Sequence, residues 1–389
     1  MLAKAQALKP RLVELRRAIH RNPELGFDVF KTAELVARTL GELGVECQTG
    51  VGKTGVVGYI GDGDGPVVAI RADMDALPIQ EINQVEYASQ VPGKMHACGH
   101  DAHTAMLLGA AMLLTKERIA GQIRLIFQPS EEIADAEGIS GAPRMIDDGA
   151  LKGVDAVIAL HVDGTLDAGT IAVEDGKVAA AVDSFRAHII GTGGHGAHPD
   201  KTIDPIWLTT QVLNAMYAVP SRRIDPFQPS VLSLGVIRGG AASNVIPASV
   251  YIEGTLRSMD DHVREQLRSE VTRCLEIART LGGDYKLDIE RGYPPMFNDS
   301  GITEEIRRVG RELLGEAGLG APERTMGAED FSYMTRLAPG AMLRLGTKVP
   351  GGAPKYVHTP DWDLDENALP VGTAMLAETA LRLLQSRHK

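Results

Sequence analysis

The run VVAIRA at residues 67–72, followed at once by Asp73-Met74-Asp75, reads as a strand with two carboxylates just beyond its C-terminal end. Working outward, similar strand-like runs stand at TGVVGYI (54–60), QIRLIF (122–127) and VDAVIALH (154–161), with a long helical stretch after His100. Upstream, Leu8, Leu12, Leu15 and Ile19 repeat at helical spacing until Asn22-Pro23, and a second helix runs near residues 31–43 and stops at Gly44. Strands alternating with helices predict an α/β fold, a mixed and mostly parallel sheet with helices on both faces.

From about residue 182 the rhythm changes. SFRAHIIG, IDPIWLTTQVLNAMYAV, SVLSLGVI, ASVYIEGTLR, DDHVREQLRSEVTRCLEIART and DYKLDIER follow as strand, helix, strand, strand, helix, strand. That is the β-α-β-β-α-β order of a ferredoxin-like unit, and its length of roughly a hundred residues suits a small inserted domain. After Tyr293-Pro294-Pro295 the earlier alternation resumes and closes with a helix near residues 366–385. The expected organisation is a larger domain in two parts, 1–182 and 294–389, interrupted by a smaller one over 183–293. No internal repeat or low-complexity tract interrupts it.

Length and composition agree with this. The chain has 389 residues, more than one compact domain needs, with 44% apolar and 23% charged side chains. Its 40 basic and 51 acidic residues give a formal charge of -11, and no short window is dominated by Lys and Arg, which argues against a nucleic-acid partner. No apolar run approaches the roughly 20 residues of a membrane span. The charged opening MLAKAQALKPRLVELRR lacks the apolar stretch of a secretory signal, so the expected location is cytoplasmic, with no membrane partner. Cys47, Cys98 and Cys274 are too few and too scattered for a disulfide framework; each is a buried thiol or part of the chemistry.

Candidate chemistry gathers beyond the strand ends. Asp73 and Asp75 follow VVAIRA, Glu131 and Glu132 follow QIRLIF, His161 ends VDAVIAL, and His96, Cys98, His100 and His103 share one loop leading into a helix. In open α/β sheets that edge binds ligands. A locally extended backbone would point Cys98 and His100 at one ion, a zinc-compatible pair; the alternative is a buried thiol beside a helix-capping histidine. Asp101 is expected as that helix's N-cap, and His96 and His103 as supporting or surface polar groups. Adjacent glutamates at a strand end point in opposite directions, which suits one metal ligand and one proton carrier, or else a solvated acidic pair. His161 is a ligand or a satisfied core residue. Together with His358 these groups offer more donors than one zinc can use, and two metals bridged by a water is the economical arrangement.

Two glycine motifs carry less. Gly191 to Gly196 matches the dinucleotide fingerprint, but Pro199 and Asp200 interrupt the helix it requires and no acid follows at the needed distance. The segment 50–54 ends like a phosphate loop, yet Cys47 stands in place of its first glycine and a strand follows. Both read as turns, which leaves a nicotinamide-dependent oxidoreductase without support.

Nine segments in order, RADMDALP (71–78), MHACGHDAH (95–103), QPSEE (128–132), ALHV (159–162), GGHGAHP (193–199), NVIP (244–247), GTLRS (254–258), GAEDFS (327–332) and VHTP (357–360), resemble the metal-dependent aminoacylase and carboxypeptidase superfamily. Within it the chain is most similar to the hippurate hydrolase and indole-acetyl-amino-acid hydrolase branch, over nearly its whole length. The resemblance implies that Cys98, His100, Glu132, His161 and His358 bind two divalent ions, zinc or else manganese or cobalt, with Glu131 as general base. It implies that Asp75 orients a ligand and that Asn244 and Arg257 meet the substrate carboxylate. The inserted domain would be a lid that dimerises, giving a homodimer or dimer of dimers, with His195 reaching the neighbouring subunit's site. The implied reaction is hydrolysis of the amide bond of N-acyl amino acids or related small amides. A dipeptidase or carboxypeptidase of the same superfamily is the near alternative; a metal-stabilised binding protein without activity is the distant one, disfavoured because a structural metal site has no use for Glu131. The chain departs from the family at Asp73, where related branches carry a metal-binding histidine, at Asp200, and in the longer, acidic IADAEGISGA after Glu132.

Overall fold

The computed structural model describes residues 1–321 and 323–387. The chain forms two compact units: Met1–Gly176 with Phe297–Glu323 and the residues from Tyr333 onward, and Lys177–Met296 with Arg324–Ser332.

The first unit is built on a seven-stranded sheet in the order Glu46–Val51, Gly55–Gly61, Gln122–Gln128, Val67–Asp73, Ala156–Asp167, Gly340–Lys348, Ile171–Ala172. The four strands from Gln122–Gln128 to Gly340–Lys348 are parallel, and the flanking strands on each side are antiparallel. Val67–Asp73 is buried from Val68 onward without alternation, as a strand covered on both faces must be. The expected mixed, mostly parallel sheet with its helices is the observed one. Helix His100–Leu114 is buried at every position and packs against Lys9–His20, Leu369–Arg387 and the strand Val67–Asp73. Beyond its polar first turn the helix is apolar all round and has no solvent face to offer. Gly109 allows its close approach to the N-terminal helix: a Cβ there would lie 2.4 Å from Leu12 Cδ2.

The second unit holds a four-stranded antiparallel sheet, in the order Ser230–Gly239, Ser249–Ser258, Ala181–Ile190, Asp284–Arg291. Burial along Ala181–Ile190 alternates residue by residue, the signature of a sheet packed on one face. Helices Pro205–Arg222 and Asp261–Thr280 supply that packing; each is opened by an aspartate, Asp204 or Asp260, whose side chain accepts two backbone N–H groups. Among the described residues no helix is long and apolar enough to cross a membrane.

Candidate active site

The candidate ligands of the first unit meet where the parallel strands end. Gly99 caps the helix beginning at His100 in a left-handed conformation, φ +83°, and a Cβ there would lie 2.4 Å from Val162 Cγ2. Cys98 and His100 therefore converge through a tight glycine turn, not through the extended loop expected. His100 donates from Nδ1 to the Asp75 carbonyl at 2.8 Å, which leaves Nε2 facing the site. His161 lies beyond the point where its strand stops pairing with Val67–Asp73. Its Nδ1 donates to Val162 O at 2.7 Å, and its Nε2 is 3.4 Å from Cys98 Sγ.

The two glutamates follow a turn. The strand ends at Gln128, Pro129 follows, and Ser130 takes φ +53°. The Asp75 carboxylate then receives the N–H of Glu131 on Oδ1 and of Glu132 on Oδ2, both at 3.0 Å. The expectation that the two side chains diverge is corrected accordingly: donor atoms of His100, Glu131 and Glu132 lie within 4.8 Å of one another. Alternation holds only along an extended strand, and this segment has left it. His358 arrives from the far end of the sequence with φ +67°, anchored by its N–H to Ala97 O at 2.7 Å, its Nε2 3.1 Å from Glu132 Oε1.

Two groups of three donors share one sulfur: Cys98, His100 and His161, and Cys98, Glu132 and His358, each group within 4.8 Å. His100 Nε2 is buried without a hydrogen-bond partner, and buried Glu132 Oε1 meets His358 in an ion-pair contact outside hydrogen-bond geometry. Orphaned polar atoms of this kind, beside a thiol and further imidazoles, fit divalent ions of the zinc class.

The electrostatics point the same way. Burial pushes the His161 imidazole well down, with the charge of Arg344 and neighbouring His103 adding to it, so its Nε2 is free to ligate. Burial and Glu132 push the Cys98 thiol up. Contact with Cys98, then with Glu132, lifts His358 to about 10. Burial alone would raise Glu132, but His358 and His100 hold it down. Burial also opposes the proton on His100, yet Asp73 and Cys98 raise it well above the usual imidazole range. The protons on Cys98, His100 and His358 compete with a cation for the same donor atoms.

The sequence named several supporting residues without their partners, and His103 takes the supporting role expected of it. His103 accepts the Val162 N–H on Nε2 at 3.0 Å, so its proton sits on Nδ1 and is donated to Asp73 Oδ1 at 2.6 Å. Asp73 is also held by Arg71 at 2.5 Å; burial would raise its carboxyl, but His100, Arg71 and His103 keep it well below the usual range. Asp101 does not cap the helix. It lies inside the first turn, fully buried, and pairs with Arg16 and His20 at 2.7 Å each. His96 is no surface group either: it is buried, its pKa driven down to about 3. Arg344 was foreshadowed only by strand register, which sets it directly beside His161.

In the second unit, His195 is exposed in the short strand Gly194–His195, which pairs with Val245–Ile246; the adjoining Gly196 N–H donates to Asn244 O at 2.8 Å. His195 and Asn244 are thus neighbours. Arg257 is partly buried on the strand Ser249–Ser258 with no acidic partner among the described residues, and burial lowers its pKa.

The sequence profile of peptidase family M20/M25/M40 matches residues 69–382. The chain belongs to this family. It is 41% identical over 378 residues to thermostable carboxypeptidase 2 of Saccharolobus solfataricus, covering 95% of each chain. It is 39% identical over 388 residues to the N-acetyl-L-cysteine deacetylase of Bacillus subtilis, covering 98% of this chain and 90% of that one. With IAA-amino acid hydrolase ILR1-like 2 of Arabidopsis thaliana the identity is 38% over 381 residues, covering 97% and 86%. Among solved structures, the YXEP protein of Bacillus subtilis, a dinuclear metal-binding peptidase of the M20 family, superposes with a TM-score of 0.85 at 35% identity, covering 98% of this chain and 99% of that one. The family member described above is accordingly a metal-dependent hydrolase acting on small amide or peptide substrates.

Proposed function

We propose that the protein hydrolyses the amide bond of N-acyl amino acids, with Cys98, His100, Glu132, His161 and His358 holding two divalent ions. Zinc is the ion we favour, with manganese or cobalt as substitutes. The observation that carries the proposal is the pair of three-donor groups sharing Cys98 with Glu131 beside them. When bound, such ions supply the Lewis acidity that polarises an amide carbonyl and acidifies a water molecule.

The chain's own residues do the rest. Glu131, buried and pinned through its backbone to Asp75, takes the proton from the attacking water and passes it to the departing nitrogen. His195 accepts the Ala197 N–H on Nδ1 at 3.0 Å, which leaves Nε2–H as a donor for the tetrahedral oxyanion. Losing a donor of that kind costs on the order of 100-fold to 1000-fold in turnover. Arg257, with no acidic partner among the described residues, receives the substrate carboxylate together with Asn244.

The insertion 183–293, which makes up most of the second unit, is read as a lid and dimerisation domain between catalytic parts 1–182 and 294–389. Exposed Ile206, Trp207 and Tyr217 on helix Pro205–Arg222, and the open sheet edge at Ser230–Gly239, offer a second copy an apolar face and unpaired backbone. A homodimer or dimer of dimers would let His195 serve the neighbouring subunit. The free state of Cys47, Cys98 and Cys274 is consistent with a reducing, cytoplasmic setting. A carboxypeptidase acting on short peptides is the second reading, favoured by the Saccharolobus relative.

The test is release of free amino acid from a panel of acetyl, benzoyl and indole-acetyl amino acids and of dipeptides, after metal removal and reloading with each ion. Glu131→Gln should keep its fold and metal content and lose roughly 100-fold to 10,000-fold in turnover. Retained turnover in that variant would remove Glu131 as the base.

A further inference from the structure

Helix Lys9–His20 carries a buried cation outside the donor set. Arg16 is fully buried, and its planar guanidinium reaches three carboxylates. Nε donates to Asp101 Oδ2 at 2.7 Å, one terminal nitrogen to Asp363 Oδ1 at 3.1 Å, and the other to Glu366 Oε1 at 3.3 Å. Asp101 directly follows His100; Asp363 and Glu366 lie just beyond His358. The same cluster is reinforced from two sides. His20 Nδ1 is 2.7 Å from the Asp101 oxygen that Arg16 uses. Tyr87 donates its hydroxyl to Asp363 Oδ2 at 2.8 Å, and its ring lies 4.7 Å from the Arg16 guanidinium carbon. Asn83 meanwhile donates to the Trp362 carbonyl at 2.8 Å.

We infer that Arg16 is a positioning residue for the metal centre, holding the segment that carries His358 against the helix turn that carries His100. The inference rests on both histidines being ligands. His358 needs such support: it sits on a left-handed backbone with half its side chain exposed, and a strained residue persists only where its surroundings over-determine it. A guanidinium suits the task because its rigid fork can engage several carboxylates at fixed angles, whereas an ammonium is a point charge on a flexible stem.

The experiment uses the full-length protein stripped of metal and titrated with cobalt(II), followed by visible absorption and by stoichiometry. Arg16→Lys and Asp363→Asn are compared with wild type, with His358→Ala, and with Lys4→Ala, which breaks only the surface pair Lys4–Glu117. Both cluster variants should bind one of the two ions about 10-fold to 100-fold more weakly and shift the ligand-field bands, as loss of ligand-orienting partners does elsewhere. In the zinc-loaded enzyme kcat should fall with KM little changed, and Lys4→Ala should match wild type throughout. If Arg16→Lys does not fold, Asp363→Asn decides, since Asp363 is partly exposed and its loss leaves Asp101 paired. A folded cluster variant with wild-type spectrum and affinities overturns the inference even if it melts earlier. If His358→Ala leaves stoichiometry and spectrum unchanged, the ligand assignment fails first, and the role of Arg16 falls with it.

Discussion

Cys98 shows how the smallest change should read out. Its thiol is pushed up by burial and by Glu132, so it must give up a proton to ligate, and a serine hydroxyl does so far less readily. Cys98→Ser should lower metal content, checked by elemental analysis after dialysis against a weak chelator, and unchanged content would strike it from the ligand set. His20 makes a prediction about stability. Burial and Arg16 oppose its proton, but Asp101 and Glu81 outweigh them and raise its pKa above the ordinary imidazole value of 6.5, with His96 packed close by. A raised folded-state pKa stabilises fully below the ordinary value and is lost as pH climbs through the raised one. The melting-temperature gap between wild type and His20→Asn should therefore narrow from mildly acidic to alkaline pH; a constant gap would mean that His20 folds neutral. Residues such as His161 and Cys98 stood out in the sequence because they flank strand ends and glycine turns. Asp101 reads locally as an N-cap, because its partner Arg16 comes from a distant helix, and no local pattern announces a pairing of that kind.

At the scale of elements, the turn at Gly99 is the most exposed to test. Alanine there would have to accept φ +83° and a Cβ 2.4 Å from Val162 Cγ2. Gly99→Ala should cost about 1–3 kcal/mol in urea unfolding, the range for a residue forced into a sparsely populated conformation. Equal stability would show that the turn relaxes freely. Strong periodicity made Lys9–His20 and Val67–Asp73 legible almost to the residue, and the six elements of the four-stranded sheet and its two helices legible in order and type, with looser ends at Ala181–Ile190 and Pro205–Arg222. Glu46–Val51 was not, since ECQTGV is largely polar and most of it is exposed. Gly340–Lys348 was also missed: GAMLRLGTK is poor in β-branched residues, and its place beside Ala156–Asp167 comes from tertiary packing. The glutamate pair was misread for a related reason. Pro129 and the left-handed Ser130 end the strand one step too soon for alternation to apply.

For the whole molecule, the proposal of shared sites predicts complementation. Mixing His195→Ala with Glu131→Ala subunits should restore activity that neither has alone, because one mixed site then keeps both groups; no recovery would place His195 in its own subunit's reaction. A different consequence follows from the position of Gly340–Lys348 in the sheet. It lies between Ala156–Asp167 and Ile171–Ala172 although it is translated long after both. Until the ribosome has released that stretch, the nascent polypeptide presents an unpaired strand border, the kind of surface that invites aggregation and chaperone binding. Chains cut short upstream of residue 340 should therefore be insoluble or chaperone-bound, and they should also fail to retain metal, since His358 would not yet have been synthesised.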